Sequence, residues 1–222
     1  MAYFDVVEKF VSINGEGRKA GQLAVFIRFK GCNLKCEYCD TKWANENDAM
    51  CEKMTEHEIY QYIKDTGVKN VTLTGGEPLY RDDIDILLRL LDNDENISVE
   101  IETNGSIDLT EYIKISERIT FTVDYKLSLS GMEKAMYLKN YEILRDIDTV
   151  KFVVGNVDDL IKSKAIIDEY NLAGKCKIYL SPVFGKIKPE EIVEFMKDNR
   201  MNDVNCQLQL HKYIWDPNKK GV

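Results

Sequence analysis

The chain has 222 residues, 44% hydrophobic and 31% charged, which suits one domain over residues 1–222 with a core large enough to fold unaided. No apolar run approaches the roughly 20 residues of a membrane span, and MAYFDVVEKF lacks the basic-then-apolar order of a secretory signal, so a cytoplasmic protein with no membrane partner is expected. A formal net charge of −8, with no Lys/Arg cluster clear of neighbouring acids, argues against direct nucleic-acid binding.

Strands are predicted over 3–10 and 23–30, followed by a cysteine-bearing turn and a polar loop over 40–54. Thr55 and Glu58 then form a capping box, Ile59, Tyr62 and Ile63 follow at helical spacing, and Gly67 stops a helix over 55–66. A strand over 71–74, a helix over 82–92 and strands over 97–102 and 119–125 come next, the last rich in β-formers. A helix over 133–145, a strand over 149–154, a helix over 157–170 and a strand over 176–181 continue the alternation. Pro189 suits the first turn of a helix over 189–200, and a strand over 204–210 ends the series.

This alternation implies an α/β fold, a mainly parallel sheet covered by helices, either open or closed into a full or partial barrel. The chemistry-bearing residues fall at strand ends. Gly75-Gly76-Glu77-Pro78 follows VTLT, Glu102-Thr103-Asn104-Gly105 closes ISVEI, and Asp124, Tyr125 and Lys126 end ITFTV. Gly155-Asn156, Ser181-Pro182 and His211 stand at three further strand ends. Parallel α/β folds build their active sites on the face shared by the carboxyl ends of the strands, so six such endings point to one site.

Six cysteines are present, and Cys32, Cys36 and Cys39 fall within GCNLKCEYC, a C-x3-C-x2-C spacing. Three thiolates can wrap one face of a [4Fe–4S] cluster and leave one iron without a protein ligand. Electron-transfer clusters and structural zinc sites use four ligands. Cys51, in the following loop, is a possible fourth ligand, whereas Cys176 and Cys206 lie in predicted buried strands and read as core thiols.

The cysteine motif followed by GGEP at the next strand end resembles the radical S-adenosylmethionine superfamily. SINGEG at 12–17, VFIRFKGCNLKCEYCDT at 25–41, LTGGEP at 73–78, ETNG at 102–105, DYK at 124–126 and LQLHKYIW at 208–215 are similar to its 7-carboxy-7-deazaguanine synthase family. The resemblance implies a single radical SAM core domain, an incomplete TIM-type barrel of parallel strands with reduced helical cover. It implies a cluster on Cys32, Cys36 and Cys39, bound S-adenosylmethionine, and Mg²⁺. The implied reaction converts 6-carboxy-5,6,7,8-tetrahydropterin to 7-carboxy-7-deazaguanine with loss of ammonia, started by a 5′-deoxyadenosyl radical, in queuosine biosynthesis. It also implies a homodimer and a flavodoxin-like or ferredoxin-like electron donor.

The resemblance extends to single residues. It assigns Gly75, Gly76, Glu77, Thr103, Lys126, Ser130 and Ser181 to the cofactor. Asn14, Gly15, Glu16, Arg28, Thr103 and His211 fall to the substrate, with Glu16 accepting from a guanidine-like edge and Arg28 gripping a carboxylate. Thr41 would give its hydroxyl to Mg²⁺, with Asp40 assisting or positioning the loop. The chain departs from the family at Asn14, where Gln is usual, and at Ser128, where Pro is common. Read alone, Gly75–Pro78, Asn104-Gly105 and Asp40-Thr41 are also ordinary turns. Two other readings stay open: a radical SAM enzyme acting on a protein glycine, and a non-enzymatic iron–sulfur or zinc module.

Overall fold

Period-two alternation sorts strand side chains onto two faces, and that sorting organises the molecule. The computed structural model describes residues 1–222. The chain runs β1 (Tyr3–Ile13), β2 (Leu23–Phe29), β3 (Glu52–Thr55), α1 (Glu56–Thr66), β4 (Asn70–Gly75), α2 (Ile84–Asp92), β5 (Ser98–Thr103) and α3 (Thr110–Ile113). It continues through β6 (Thr120–Tyr125), α4 (Asn140–Ile143), β7 (Thr149–Val154), α5 (Val157–Glu169), β8 (Lys177–Pro182), α6 (Pro189–Asp198), β9 (Val204–Cys206) and α7 (His211–Ile214).

All nine strands form one sheet in the order β3-β1-β2-β4-β5-β6-β7-β8-β9. β1 is antiparallel to both β2 and β3, and every other pairing is parallel. The edge strands β3 and β9 do not pair with each other, so the sheet stops short of a closed barrel. No helix is long and apolar enough to cross a membrane.

One sheet face is apolar. Ile27, Leu73, Ile101, Phe121, Val123, Val150, Phe152, Ile178 and Leu180 are fully buried there, in one cluster with Ile59 and Ile63 of α1, Leu87 and Leu88 of α2, Leu160 of α5 and Ile192 of α6. The other face carries Thr74, Glu102, Thr122, Asp124 and Lys151, which line a cavity. The connection from β1 to β2 lies across this polar face. Asn14 Oδ1 accepts from Thr72 of β4 at 2.9 Å, Lys19 Nζ donates to Ser98 of β5 at 2.7 Å, and Arg18 reaches the backbone carbonyls of Asp146 and Asp148 before β7. The loop thus ties β4, β5 and the turn before β7 to one another across the polar face.

The expected elements appear with five changes, of which the shortest is the unpredicted single turn of α3 at Thr110–Ile113. The stretch 40–54, read as a loop, ends in β3, which pairs Tyr3↔Thr55 through Val6↔Glu52. Four residues, EKMT, with only Met54 buried, leave too little alternation to detect. The single helix over 133–145 is instead a 3-10 turn at Glu133–Ala135 and the short α4. Tyr137 N–H donates to the Gly105 carbonyl, and Asn140 bonds the carbonyls of Gly105 and Ile107, so tertiary bonds take the place of a continuous helix. The strand over 204–210 stops at Cys206, and the chain then turns away to bond Gly15 and Gly17. His211 therefore opens α7 and does not end a strand. Finally, Cys176 and Cys206 are half-buried at strand boundaries, not enclosed within strands.

Candidate active site

The cavity opens at the carboxyl ends of the parallel strands, and the three motif cysteines line it together. Gly31, in the left-handed region at φ +83°, turns the chain out of β2 into the cysteine loop. Glu37 N–H donates to Ser130 O at 3.0 Å and Lys42 Nζ to Glu37 O at 2.8 Å, which fix the loop's outer arc. Cys32 Sγ accepts from Leu34 N–H at 3.4 Å and from Asn104 Nδ2 at 3.5 Å. Burial pushes the Cys32 and Cys36 thiols up, with Glu77 adding to the rise at Cys32 and Lys126 opposing it at Cys36. Cys51 is exposed and lies outside the cavity.

No three His, Cys, Asp or Glu side chains close on a single point, as one metal ion needs. Three thiols spread along a shared wall instead fit a cluster several atoms across, and only three protein sulfurs are available to it.

Gly75 and Gly76 end β4 on the cavity wall. Gly75 has φ +139°, and a Cβ there would strike the Phe29 backbone, while one on Gly76 would overlap the Gly31 carbonyl. Their small size is thus required by the closeness of β2 to β4, and the same feature brings backbone to the cavity surface. Glu77 lies behind that wall, fully buried. It accepts from Thr103 Oγ1 at 2.8 Å, Asn104 N–H at 2.6 Å and Leu79 N–H at 3.0 Å. Burial pushes its carboxyl up to about 7 against those donors. Thr103 and Asn104 line the cavity. Lys126 Nζ pairs with Asp124 Oδ2 at 2.7 Å, and although burial would lower the ammonium's pKa, Asp124 raises it. Ser130 and Ser181 are fully buried and do not line the cavity; Ser130 Oγ donates to Leu127 O at 2.5 Å, and the Ser181 hydroxyl stands beside Glu16.

At the other end of the cavity, Gly15 packs so tightly against the His211 ring that a Cβ would overlap Nδ1. Leu210 N–H donates to Gly15 O at 3.0 Å, so α7 and the floor loop hold one another. Glu16 Oε2 accepts from Gln209 Nε2 at 3.1 Å and pairs with Lys151 Nζ at 3.3 Å. Burial alone would raise the Glu16 carboxyl, but the Lys151 charge and the donated hydrogen bonds hold it below its ordinary value. Burial lowers the His211 imidazole, with Glu16 opposing. Arg28 donates through Nε to Glu8 at 3.0 Å, which aims the guanidinium without engaging its terminal nitrogens. Asn14 sits behind the wall, and its Nδ2 has no partner. Asp40 and Thr41 line the mouth, where Thr41 Oγ1 donates to Asp40 Oδ1 at 2.9 Å and Lys212 Nζ lies 3.7 Å from Asp40 Oδ2. The Asp40 side chain is exposed, and Lys212 and the Thr41 hydroxyl hold its carboxyl below the ordinary value. Two oxygens at a wet mouth fit Mg²⁺, which keeps several waters.

Lys151 carries no motif signal: it is one polar residue in TVKFVV, and only the pairing Asp124↔Lys151 shows that it faces the cavity. Gln209 lies within LQLHKYIW but is not among the residues assigned there, and its bond to Glu16 is what brings it into the site.

An open α/β sheet with three cysteines and two glycines around one cavity defines a class. Residues 26–126 match the Radical SAM superfamily. In fold the chain is similar to QueE from Escherichia coli, at a TM-score of 0.73 and 23% identity, covering 92% of this chain and 94% of that one. A 7-carboxy-7-deazaguanine synthase of Clostridium acetobutylicum is 60% identical over 219 residues, 99% of both chains. Another, of Chlorobaculum tepidum, is 34% identical over 100% of this chain and 98% of its own. The chain belongs to the 7-carboxy-7-deazaguanine synthase family.

Proposed function

We propose that this protein is a radical SAM lyase that converts 6-carboxy-5,6,7,8-tetrahydropterin to 7-carboxy-7-deazaguanine and ammonia, a step of queuosine biosynthesis. The observation that carries this reading is the two-ended cavity. Three cysteines stand at one end and the Glu16–Gln209–His211 group at the other, with no wall between them.

Cys32, Cys36 and Cys39 would hold the [4Fe–4S] cluster, and Asn104 and the Leu34 N–H would donate to the Cys32 sulfur. When bound together, the cluster and S-adenosylmethionine would supply radical chemistry: one electron from an external reductant would release methionine and a 5′-deoxyadenosyl radical able to take a hydrogen atom from the pterin. Gly75 and Gly76 offer backbone to the methionyl end, Lys126 offers an ammonium for a carboxylate, and Thr103 offers a hydroxyl. Glu77, Ser130 and Ser181 shape the cofactor side from behind the wall. Glu16 stays ionised and accepts from the pterin's N–H edge, and Arg28 pairs with its carboxylate. Gly15, Asn14 and His211 complete that end, His211 as a neutral imidazole and Asn14 through the loop it anchors. Thr41, aided by Asp40, holds Mg²⁺.

The reading takes residues 1–222 as one domain, supported by the single continuous sheet. It also takes the protein as a cytoplasmic homodimer reduced by a flavodoxin-like or ferredoxin-like donor, supported by the family resemblance. The test is anaerobic: reconstituted enzyme with S-adenosylmethionine, reductant, Mg²⁺ and the carboxypterin, with products read by mass spectrometry. The deazapurine should form. Appearance of 5′-deoxyadenosine alone would show that the substrate is wrong.

A further inference from the structure

Three ionised side chains from three separate segments meet on the cavity floor. Lys151 Nζ lies 3.3 Å from Glu16 Oε2 and 3.8 Å from Asp124 Oδ2, and Asp124 and Lys151 are register partners on β6 and β7. Their side chains are only 10–16% exposed. A charge so far out of water is strongly disfavoured unless it is paired. One lysine here serves two carboxylates, each of which has a second helper: Gln209 for Glu16 and Lys126 for Asp124. The Ser181 hydroxyl stands beside Glu16 as a further donor. Two carboxylates tied to one lysine in the wall of one cavity form an acceptor surface suited to a ligand with several N–H donors.

We propose that Lys151 is a positioning residue of the substrate pocket. It ties Glu16 to Asp124 so that the two carboxylates stand together as acceptors for the N–H groups of a nitrogen heterocycle. This rests on the substrate reading above for the identity of the heterocycle, and on geometry alone for the pairing. Lys151 does not touch the reacting carbon in this assignment; it acts through the two carboxylates.

The consequence is a masked titration. Glu16 faces Lys151 and Asp124 from the sheet, Glu102 from β5, Ser181 from β8, and Gln209 and His211 from the carboxyl-terminal segment. Of these, Lys151 alone brings a fixed positive charge. Without it, burial and the neighbouring acids would push the Glu16 carboxyl up, and as pH falls the protonated form would exchange an acceptor for a donor. His211 is coupled to Glu16, so its titration is followed beside that of Glu16 in each variant.

The experiment compares wild type, Lys151→Met and Lys151→Arg as reconstituted enzymes. The Glu16 carboxyl is followed by carbon-13 NMR without substrate, assigned with Glu16→Gln, and binding of 6-carboxy-tetrahydropterin is measured as a function of pH. In Lys151→Met, Glu16 should titrate at higher pH than in wild type. Pterin affinity should fall about tenfold or more near neutrality, which is about 1.4 kcal/mol, and fall further as pH drops. Lys151→Arg should restore both. An unmoved Glu16 titration in Lys151→Met, or an affinity loss that is independent of pH and not rescued by arginine, overturns the inference. Wild type that shows the Glu16 behaviour but does not bind the pterin supports the pairing and overturns the substrate instead.

Discussion

The two faces of strands β4 to β7 are built by the same backbone at the same period, and they serve opposite ends. The outer face carries Leu73, Ile101, Phe121, Val123, Val150 and Phe152, all fully buried and all without a polar atom in the side chain. The inner face carries Thr74, Glu102, Thr122, Asp124 and Lys151. A closed barrel of this kind normally packs its interior with branched apolar side chains. Here that space is left to a polar cavity, so the core must come from the helix side, and the inner face is free to hold charges that a packed core would exclude. Stability and chemistry are thereby separated by a one-residue step along each strand.

The comparison breaks most sharply at the cavity rim. Cys36→Ala should abolish cleavage of S-adenosylmethionine, by at least about a thousandfold, because two sulfurs no longer secure the cluster. The cluster-free chain should melt within about 2 °C of wild type, since Cys36 is half-buried and a small side chain replaces it. Calorimetry of the cluster-free proteins checks the second half. A large loss of stability there would mean that rim and core are not separate.

Phe152→Ala tests the same division from the outer face. Phe152 is fully buried, with its ring 5.5 Å from that of Tyr125, and truncation should lower the unfolding free energy by about 3–5 kcal/mol. Urea titration gives that number. The fraction that remains folded should still take up the cluster and cleave S-adenosylmethionine at close to the wild-type rate. Its neighbour in sequence, Lys151, faces the cavity instead, and Lys151→Met should weaken substrate binding as well as lower the urea midpoint, because two buried carboxylates lose their shared partner.

How much of this was legible beforehand follows from the same two faces. Alternation and β-rich composition located eight of the strands, and the capping box located the start of α1 to within one residue, because both are local signals. The cysteine spacing placed Cys32, Cys36 and Cys39 on one surface, and Glu16, Arg28, Lys126 and His211 do reach it. Period two does not say which set of side chains faces the cavity, so Lys151 was invisible until β6 and β7 were paired in register. Gln209 was hidden for a different reason: the alternation QLQL reads as strand, whereas the chain leaves the sheet after Cys206 to bond the connection between β1 and β2. The missed strand β3 and the broken helix near 133–145 failed on tertiary hydrogen bonds that no short window contains.

The smallest effect is expected where neither face is involved. Thr55 Oγ1 accepts from Glu58 N–H at 3.2 Å, and Glu58 Oε2 accepts from Thr55 N–H at 2.7 Å, a reciprocal cap on α1. Thr55→Ala removes one side of that exchange and leaves an N–H to water, which should lower stability by about 1 kcal/mol. Ile59 and Ile63, with Tyr60 and Tyr62 beside them, connect α1 to the apolar core, and nothing from α1 lines the cavity. Cluster content, S-adenosylmethionine cleavage and pterin affinity should therefore match wild type while the urea midpoint falls. A change in pterin affinity with so remote a substitution would mean that packing on the helix side sets the shape of the cavity, and the division between the two faces would fail.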